Sequence, residues 1–323
     1  VYPGNTADPA TVPDQVEKLR KRFGLERVVL VGDRGMLTQA RIEDLRAYPD
    51  LGWISALRAP AVRKLVEGGD LQLSLFDKQN LAEIRSDAYP GERLMVCYNP
   101  LLAEDRRRTR EALLEATEKK LSRIAAEVAR RTRKPLEAAE IGLKTGKVLG
   151  GQKVGKHFII EIANGRFTFR RDMEKIESEA RLDGIYIIRT SERPEALSAP
   201  ETVRTYKSLA QVEQAFRCLK TVDLRVRPIH HRTEEHVRAH IFLAVLAYYV
   251  EWHMRRALAP VLFEDEDLED ERWSRDPVAK AVASATAQRK KREKKTPDAW
   301  PVHSFSSLLA ELATRLGKRA PHN

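Results

Sequence analysis

Arg27-Val28-Val29-Leu30-Val31-Gly32-Asp33-Arg34-Gly35 is the stretch on which the fold class turns. A continuous Val/Leu run of this kind predicts a strand covered on both faces, as in parallel sheets. Asp33 falls at its C-terminal end, where open α/β sheets present functional groups. Gly32 and Gly35 let the backbone turn and leave room beside the carboxylate. An Asp in this place also serves commonly as the N-cap of a following helix. Upstream, Val12, Val16, Leu19 and Phe23 recur at helical spacing, and Gly24 closes that helix. Downstream, a second helix over 37–48 leads to the apolar strand Gly52-Trp53-Ile54-Ser55-Ala56-Leu57. Strand, helix, strand is a βαβ unit, so the chain begins in an α/β sheet.

The middle has a different character. Leu71 to Leu75, Arg93 to Tyr98, Phe158 to Ile162, Phe167 to Arg170 and Ile185 to Arg189 read as strands. Asn164-Gly165 marks a hairpin, because Asn-Gly suits a type I′ turn. A long charged helix runs over 104–132, with Leu114, Thr117, Leu121, Ile124 and Val128 along one seam. Its clustered arginines and lysines read most simply as a solvated face. The expected organisation is a core part over 1–60, a mainly β insertion with one long helix over 61–190, core helices over 191–262, and a charged C-terminal tail over 263–323. The tail, with Arg289-Lys290-Lys291-Arg292-Glu293-Lys294-Lys295, is expected to be mobile and to attract phosphate non-specifically. A last helix is expected over 304–316.

The chain has 323 residues and a formal charge of +11, with an isoelectric point near 9.6. Such an excess suits a polyanionic partner, since phosphate contact releases counterions. Two cysteines, Cys97 and Cys218, form no CxxC pair, which speaks against a disulfide framework or a thiolate zinc site. The most apolar stretch, Ile241 to Val250, is about half the roughly twenty residues that cross a bilayer, and reads as part of a buried helix over 234–258. With no signal peptide visible, a cytoplasmic protein is expected.

The second carboxylate of interest is Glu213. Leu209, Val212, Phe216 and Leu219 step by three and four, and predict the buried stripe of a helix over 208–220. Glu213 lies at the border of that stripe, and Lys220, almost two turns later, shares its face. Ser208 with Gln211 reads as a capping box, which puts Tyr206 just before the helix. Tyrosine hydroxyl, carboxylate and ammonium are thus expected to line one side.

The spacing Tyr206, two residues, Leu209, three residues, Glu213, six residues, Lys220 resembles the Tyr-Arg-Glu-Lys signature of the IS4-type DDE transposases. The flanking Val203 to Lys220, and Arg227-Pro228-Ile229-His230-His231 through Ala239-His240-Ile241, resemble its IS1634-like branch. So do Tyr2-Pro3-Gly4-Asn5-Thr6-Ala7-Asp8 and Val31 to Met36. The resemblance covers about residues 1–262.

It implies an RNase H-like core that cuts and joins DNA, with Asp33 as the second and Glu213 as the third catalytic and metal-binding carboxylate. Two Mg²⁺ (or Mn²⁺) ions roughly 4 Å apart serve such chemistry, clamping the attacking and leaving oxygens. Tyr206 and Lys220 are implied to contact the phosphate backbone near a transposon end. Leu209 stands where the signature usually has Arg, leaving Arg204 or Arg217 as substitutes. In the family the first Asp lies upstream of the segment resembling Tyr2 to Asp8. The resemblance therefore implies a site closed by a carboxylate outside these residues, and near inactivity of this chain alone. The implied partners are double-stranded DNA, as transposon inverted repeats and target, and a second copy of the chain. Two other readings compete: a non-enzymatic DNA-binding remnant of a decayed element, and a structure-specific nuclease on the same core.

His236 and His240 have the spacing of a helical metal pair, but no H-E-x-x-H occurs and a zinc site is not expected. Asp183-Gly184 reads as a turn before a strand rather than part of a site. Gly142 to Lys147 lacks the spacing of a phosphate-binding loop.

Overall fold

The computed structural model describes residues 2–77, 79–151, 154–222, 224, 226–266, 276–279 and 281–317. It is a mixed α/β protein whose order begins α1 (Asp8–Lys21), β1 (Val28–Val31), α2 (Gln39–Leu45), β2 (Leu51–Ala56). Then come α3 (Ala59–Glu67), β3 (Leu81–Ile84), β4 (Arg93–Tyr98), α4 (Pro100–Arg130) and α5 (Ala138–Gly150). The hairpin β5 (Phe158–Ala163) and β6 (Arg166–Arg171) precedes α6 (Met173–Ala180) and β7 (Ile185–Thr190). Helices α7 (Ala199–Lys207), α8 (Leu209–Arg217) and α9 (Glu234–Leu258) follow, then α10 (Ala285–Glu293) and α11 (Phe305–Gly317). The larger sheet has the order β1-β2-β7-β4-β3, and β5 pairs with β6 alone.

By contacts the chain divides into two units. The first comprises Val1–Ala56, Ala88–Arg93 and Ile188–Asn323; the second comprises Leu57–Asp87 and Leu94–Ile187.

In the first unit, β1 and β2 run parallel with Val29 opposite Gly52 and Val31 opposite Ile54, which makes the βαβ start real. Its core joins Val12 and Val16 of α1, Ile42 and Leu45 of α2, and Leu51 and Trp53 of β2. Only one side of β1 is well covered: it is the edge of the sheet, and Val29 is exposed. The expectation of a strand buried on both faces fails for β1, while β2 is buried from Leu51 to Ser55, since a hydrophobic run reports composition and not neighbours.

A buried ion pair ties this unit together. Arg189 at the end of β7 meets Glu92 twice, at 2.6 and 2.5 Å, and donates to Gln39 Oε1 of α2 at 2.9 Å. Its guanidinium lies 5.2 Å from the Trp53 ring centroid and 4.9 Å from that of Tyr89. Glu92 also takes Arg46, just past α2, at 3.0 Å. Arg93 Nη1 donates to the carbonyl oxygens of Glu192 and Leu197, fixing the approach to α7.

In the second unit, α4 buries Leu114, Thr117, Leu121, Ile124 and Val128, the seam its spacing predicts. They pack with Ile141 of α5 and with Phe158 and Phe167 of the hairpin. The Asn164-Gly165 hairpin forms as expected, with Ala163 opposite Arg166, but not through the expected type I′ turn. Gly165 takes φ +68 while Asn164 stays at negative φ, and type I′ needs positive φ at both positions. Two other expectations fail. Leu71 to Leu75 is no strand: Leu73–Asp77 is a 3-10 turn. The stretch expected to be mainly β also carries α3, α4, α5 and α6, so helix outweighs strand. Gly142, Gly146 and Gly150 hide α5, because glycines read as breakers in a sequence. They fall one turn apart, leaving Ile141 and Thr145 free to form the buried side.

Among the described residues after 263, two helices are formed, the second over the stretch where a last helix is expected. Residues 276–279 and 281–317 carry α10 and α11, and Leu262 bridges to His303. The acidic run over 267–275 lies outside the described residues. Among those described, no helix is long and apolar enough to cross a membrane.

Two substitutions test this packing. Glu92→Leu leaves Arg189 buried without its carboxylate and should cost about 3–5 kcal/mol in urea unfolding. Glu92→Leu with Arg189→Met should recover most of that loss; an unchanged midpoint for the single variant would contradict the assignment. Gly184 has φ +79, and a Cβ there would lie 2.7 Å from the Asn99 carbonyl oxygen and 2.9 Å from Ala103 Cβ. Gly184→Ala should therefore destabilise by about 2 kcal/mol or more, read as a lower melting temperature.

Candidate active site

Asp33 begins a tight turn directly after β1. Its backbone carbonyl oxygen accepts from the N–H of Met36 and Leu37. Its Oδ1 accepts from the N–H of Gly35 at 2.9 Å and of Met36 at 2.7 Å. The turn needs its glycines: a Cβ at position 32 would sit 2.7 Å from Leu37 Cγ, and one at 35 would crowd Oδ1 at 3.3 Å. One carboxylate oxygen is thereby anchored while the exposed group keeps Oδ2 open, with no described residue bonded to it. Helix α2 is capped by Thr38, whose side chain accepts from Arg41 N, so Asp33 shapes its own turn and is not the helix cap. Ser55 of β2 donates to the Asp33 carbonyl oxygen at 3.4 Å and steadies the turn from the neighbouring strand.

Tyr206 sits in the last turn of α7. That helix starts at a capping box made by Ser198 and Glu201 and packs against β2 and α8. The box expected at Ser208 does not form: the Ser208 hydroxyl donates to the Thr205 carbonyl oxygen, and α8 has no side-chain cap. Its place is taken upstream, where Ser-x-x-Glu is followed by a better buried helix with Thr202 and Val203 inside.

Half-burial holds the Tyr206 phenol above its ordinary value. The Asp33 and Glu213 carboxylates push it further up, against the opposing pull of the Arg34 guanidinium. Residues from the β1 turn, α7 and α8 thus come within electrostatic reach of one hydroxyl. At neutral pH that hydroxyl is protonated and can donate. Arg34 is the member that sequence reasoning missed. The only signal available was its place between Asp33 and Gly35.

Glu213 is exposed on α8 and has no hydrogen-bond or ion-pair partner among the described residues. Lys220 is exposed on a π-helical turn, Cys218–Val222, and its Nζ lies 5.4 Å from the Phe216 ring centroid. No ion pair joins it to Glu213. The wider π turn shifts the helical phase between them, so the shared face read from α-helical spacing is only partly kept. Arg217 is exposed at the end of α8, Arg204 is half-buried in α7, and Leu209 is half-buried at the start of α8.

The stripe expected to be buried on α8 is not. Val212 is exposed, and Phe216 is 54% exposed. Helix α9 departs further: its bounds match the expected 234–258, yet Phe242, Leu243, Val245, Leu246, Tyr249 and Val250 are exposed. Only Glu251 of that helix is buried. The reason lies in the partners. Helix α8 packs chiefly on α7 and the π turn, and α9 on the π turn and a short 3-10 turn after it. An apolar helix is buried only when another layer covers it.

His231 packs its ring against those of His236 and His240, and His240 Nε2 lies 3.2 Å from the Val226 carbonyl oxygen. Asp183 is held by Arg110 through both oxygens, at 3.0 and 2.5 Å. Among the described residues, no three or more His, Cys, Asp or Glu side chains converge as a metal set. The site there offers two open carboxylates, Asp33 and Glu213. Hard oxygens of this kind fit a divalent cation that keeps several of its waters.

No curated protein and no solved structure matches this chain. The model of the family described as the transposase DDE domain matches residues 1–250. That span takes in the βαβ start, the Asp33 turn and the helices bearing Tyr206 and Glu213, and the chain belongs to the DDE-domain transposases.

Proposed function

We propose that this protein cuts and rejoins DNA at transposon ends as an IS4-type transposase of the IS1634-like branch. In this reading an RNase H-like core carries the site and is interrupted by an insertion over about 61–190. The observation that supports it best is that Asp33, held at the strand end by the Gly35 and Met36 amides, and Glu213, distant in sequence, both act electrostatically on the half-buried Tyr206 phenol. The family match supports the reaction class, and the charge of +11 supports a DNA partner.

Asp33 and Glu213 are the carboxylates that hold Mg²⁺ or Mn²⁺. When bound, the cation supplies Lewis-acid polarisation of the scissile phosphate. The chain's own residues do the rest. The Gly35 and Met36 amides keep the Asp33 carboxylate from rotating, so Oδ2 stays presented. Tyr206, protonated, donates to a non-bridging phosphate oxygen. Arg217 and Lys220 lie on the surface just beyond Glu213 and neutralise neighbouring phosphates. Water displaces the bridging 3′-oxygen at phosphorus in line, releasing a 3′-hydroxyl; that hydroxyl then attacks a target phosphorus, forming a new P–O bond as the target strand's own 3′-oxygen leaves. The protein acts in the cytoplasm, as a homodimer on its DNA.

Excision of a marked element in cells, driven by the complete gene, tests the site. Asp33→Asn and Glu213→Gln should each lower excision about 100-fold or more, because a misplaced reacting oxygen costs that much. Tyr206→Phe should cost about tenfold, the worth of one hydrogen bond to a charged group. Normal excision by Asp33→Asn or Glu213→Gln would sink the assignment. Independently, Mn²⁺ titrated calorimetrically into the 323-residue chain should bind. Asp33→Asn should weaken that binding at least tenfold while the circular dichroism spectrum is unchanged; equal affinity would remove Asp33 from the metal site.

A further inference from the structure

Beyond the family match lies a run of seven residues, Arg289 to Lys295, of which all but Glu293 are basic. One of them points inward. Lys290 is 1% exposed and its ammonium donates to the carbonyl oxygens of Ala259, Leu262 and Glu264 at 2.7, 3.1 and 3.0 Å. Glu266 completes the cage at 2.5 Å. At the other end, the Ser284 hydroxyl accepts from Ala287 N and donates to Asp265 at 2.6 Å. Helix α10 is thereby locked about its own axis. Arg289, Lys291, Arg292, Lys294 and Lys295 are left exposed, against two exposed carboxylates within 289–301: Glu293, which pairs with Arg292, and Asp298 of the hairpin.

The chain then makes a tight hairpin. Val302 N donates to the Lys294 carbonyl oxygen and Thr296 N to that of Trp300, while Trp300 N donates to Thr296 Oγ1 at 3.1 Å. Lys294 and Ala299 both hold left-handed backbone, at φ +55 and +66. Lys294 is the left-handed C-cap of α10, its N–H bonded to the Lys290 carbonyl oxygen, a common way for a helix to end. Trp300, paired with Thr296 across the turn, is 67% exposed. A large aromatic held in water by a rigid turn, next to five exposed cations, combines the two elements of single-strand nucleic-acid recognition: a charged track and a stacking platform.

We propose that α10 and the 294–301 hairpin form a second DNA-contacting surface, with the exposed cations on successive phosphates and Trp300 stacked on an unpaired base. The favoured ligand is single-stranded or locally unpaired DNA, since an intact duplex offers no free base face. The surface shares only its partner with the proposed active site. Binding here needs neither carboxylate nor metal, so either reading can fail while the other stands.

Fluorescence anisotropy with labelled oligo-dT and a labelled duplex, in EDTA to remove the metal site from play, tests it on the whole chain. Trp300→Ala should weaken oligo-dT binding about tenfold, within the range for loss of one stacked base, and leave duplex affinity and the melting temperature unchanged. Trp300→Phe should restore most of the loss, which a purely structural role would not predict. Lys291→Gln with Lys295→Gln should make the slope of log K against log salt shallower by about 0.7 for each phosphate that is no longer neutralised. Equal oligo-dT affinity in wild type and Trp300→Ala would overturn the proposal. So would phosphatidylserine vesicles binding through Trp300 more tightly than oligo-dT, since the surface would then serve a membrane.

Discussion

The Arg189–Glu92 pair is the interaction on which the first unit depends. Two charges are removed from water there, and that is tolerable only because each is fully engaged. The guanidinium meets both oxygens of one carboxylate through two nitrogens and has aromatic rings near it, an arrangement Lys could not reproduce. Its partners are scattered: Trp53 in β2, Gln39 in α2, Tyr89 and Glu92 before β4. Joining them holds β2 and α2 to the end of β7. Arg93, the next residue, then ties the path into α7 through two carbonyl oxygens. The Asp33 turn and Tyr206 are thus positioned by one charged cluster and its neighbour, and not by hydrophobic packing alone.

The same logic explains why Asp33 is suited to its proposed role. A carboxylate at a strand end has two easy fates, capping a helix or pointing into solvent. Here Thr38 takes the capping duty, and the turn amides take one oxygen of Asp33. Such half-anchoring restricts rotation without saturating the group. Glu213, by contrast, sits on a helix with few neighbours and has no anchor among the described residues, so its orientation is left to whatever binds there.

What could be read in advance follows a physical rule. Strands β1 and β2, the seam of α4, the Asn-Gly hairpin and the bounds of α9 were legible because each depends on local pattern or turn chemistry. Whether those elements end up covered was not, and β1, Val212 and most of α9 are the proof. Burial is a property of neighbours, and pattern only states what a face could bury. Helix α5 was hidden by its glycines, and the capping box was assigned to the wrong serine because two Ser-x-x-Glu/Gln pairs compete within a short stretch. For the site, spacing picked out Tyr206, Glu213 and Lys220. The π turn that shifts Lys220 and the presence of Arg34 beside Tyr206 needed coordinates.

The uncovered face of α9 has a colloidal consequence. Six large apolar side chains, Phe242 to Val250, stand in water on one helix, enough to make like molecules adhere. The net charge of +11 opposes that contact through a long-range repulsion that acts before the faces touch. Salt shortens that repulsion to about 8 Å at physiological strength and less above it. Raising the pH towards 9.6 removes it altogether. The opposition between a sticky face and a like-charged surface is therefore strongest in dilute, mildly acidic buffer, and salt weakens it by the same screening that weakens phosphate contacts.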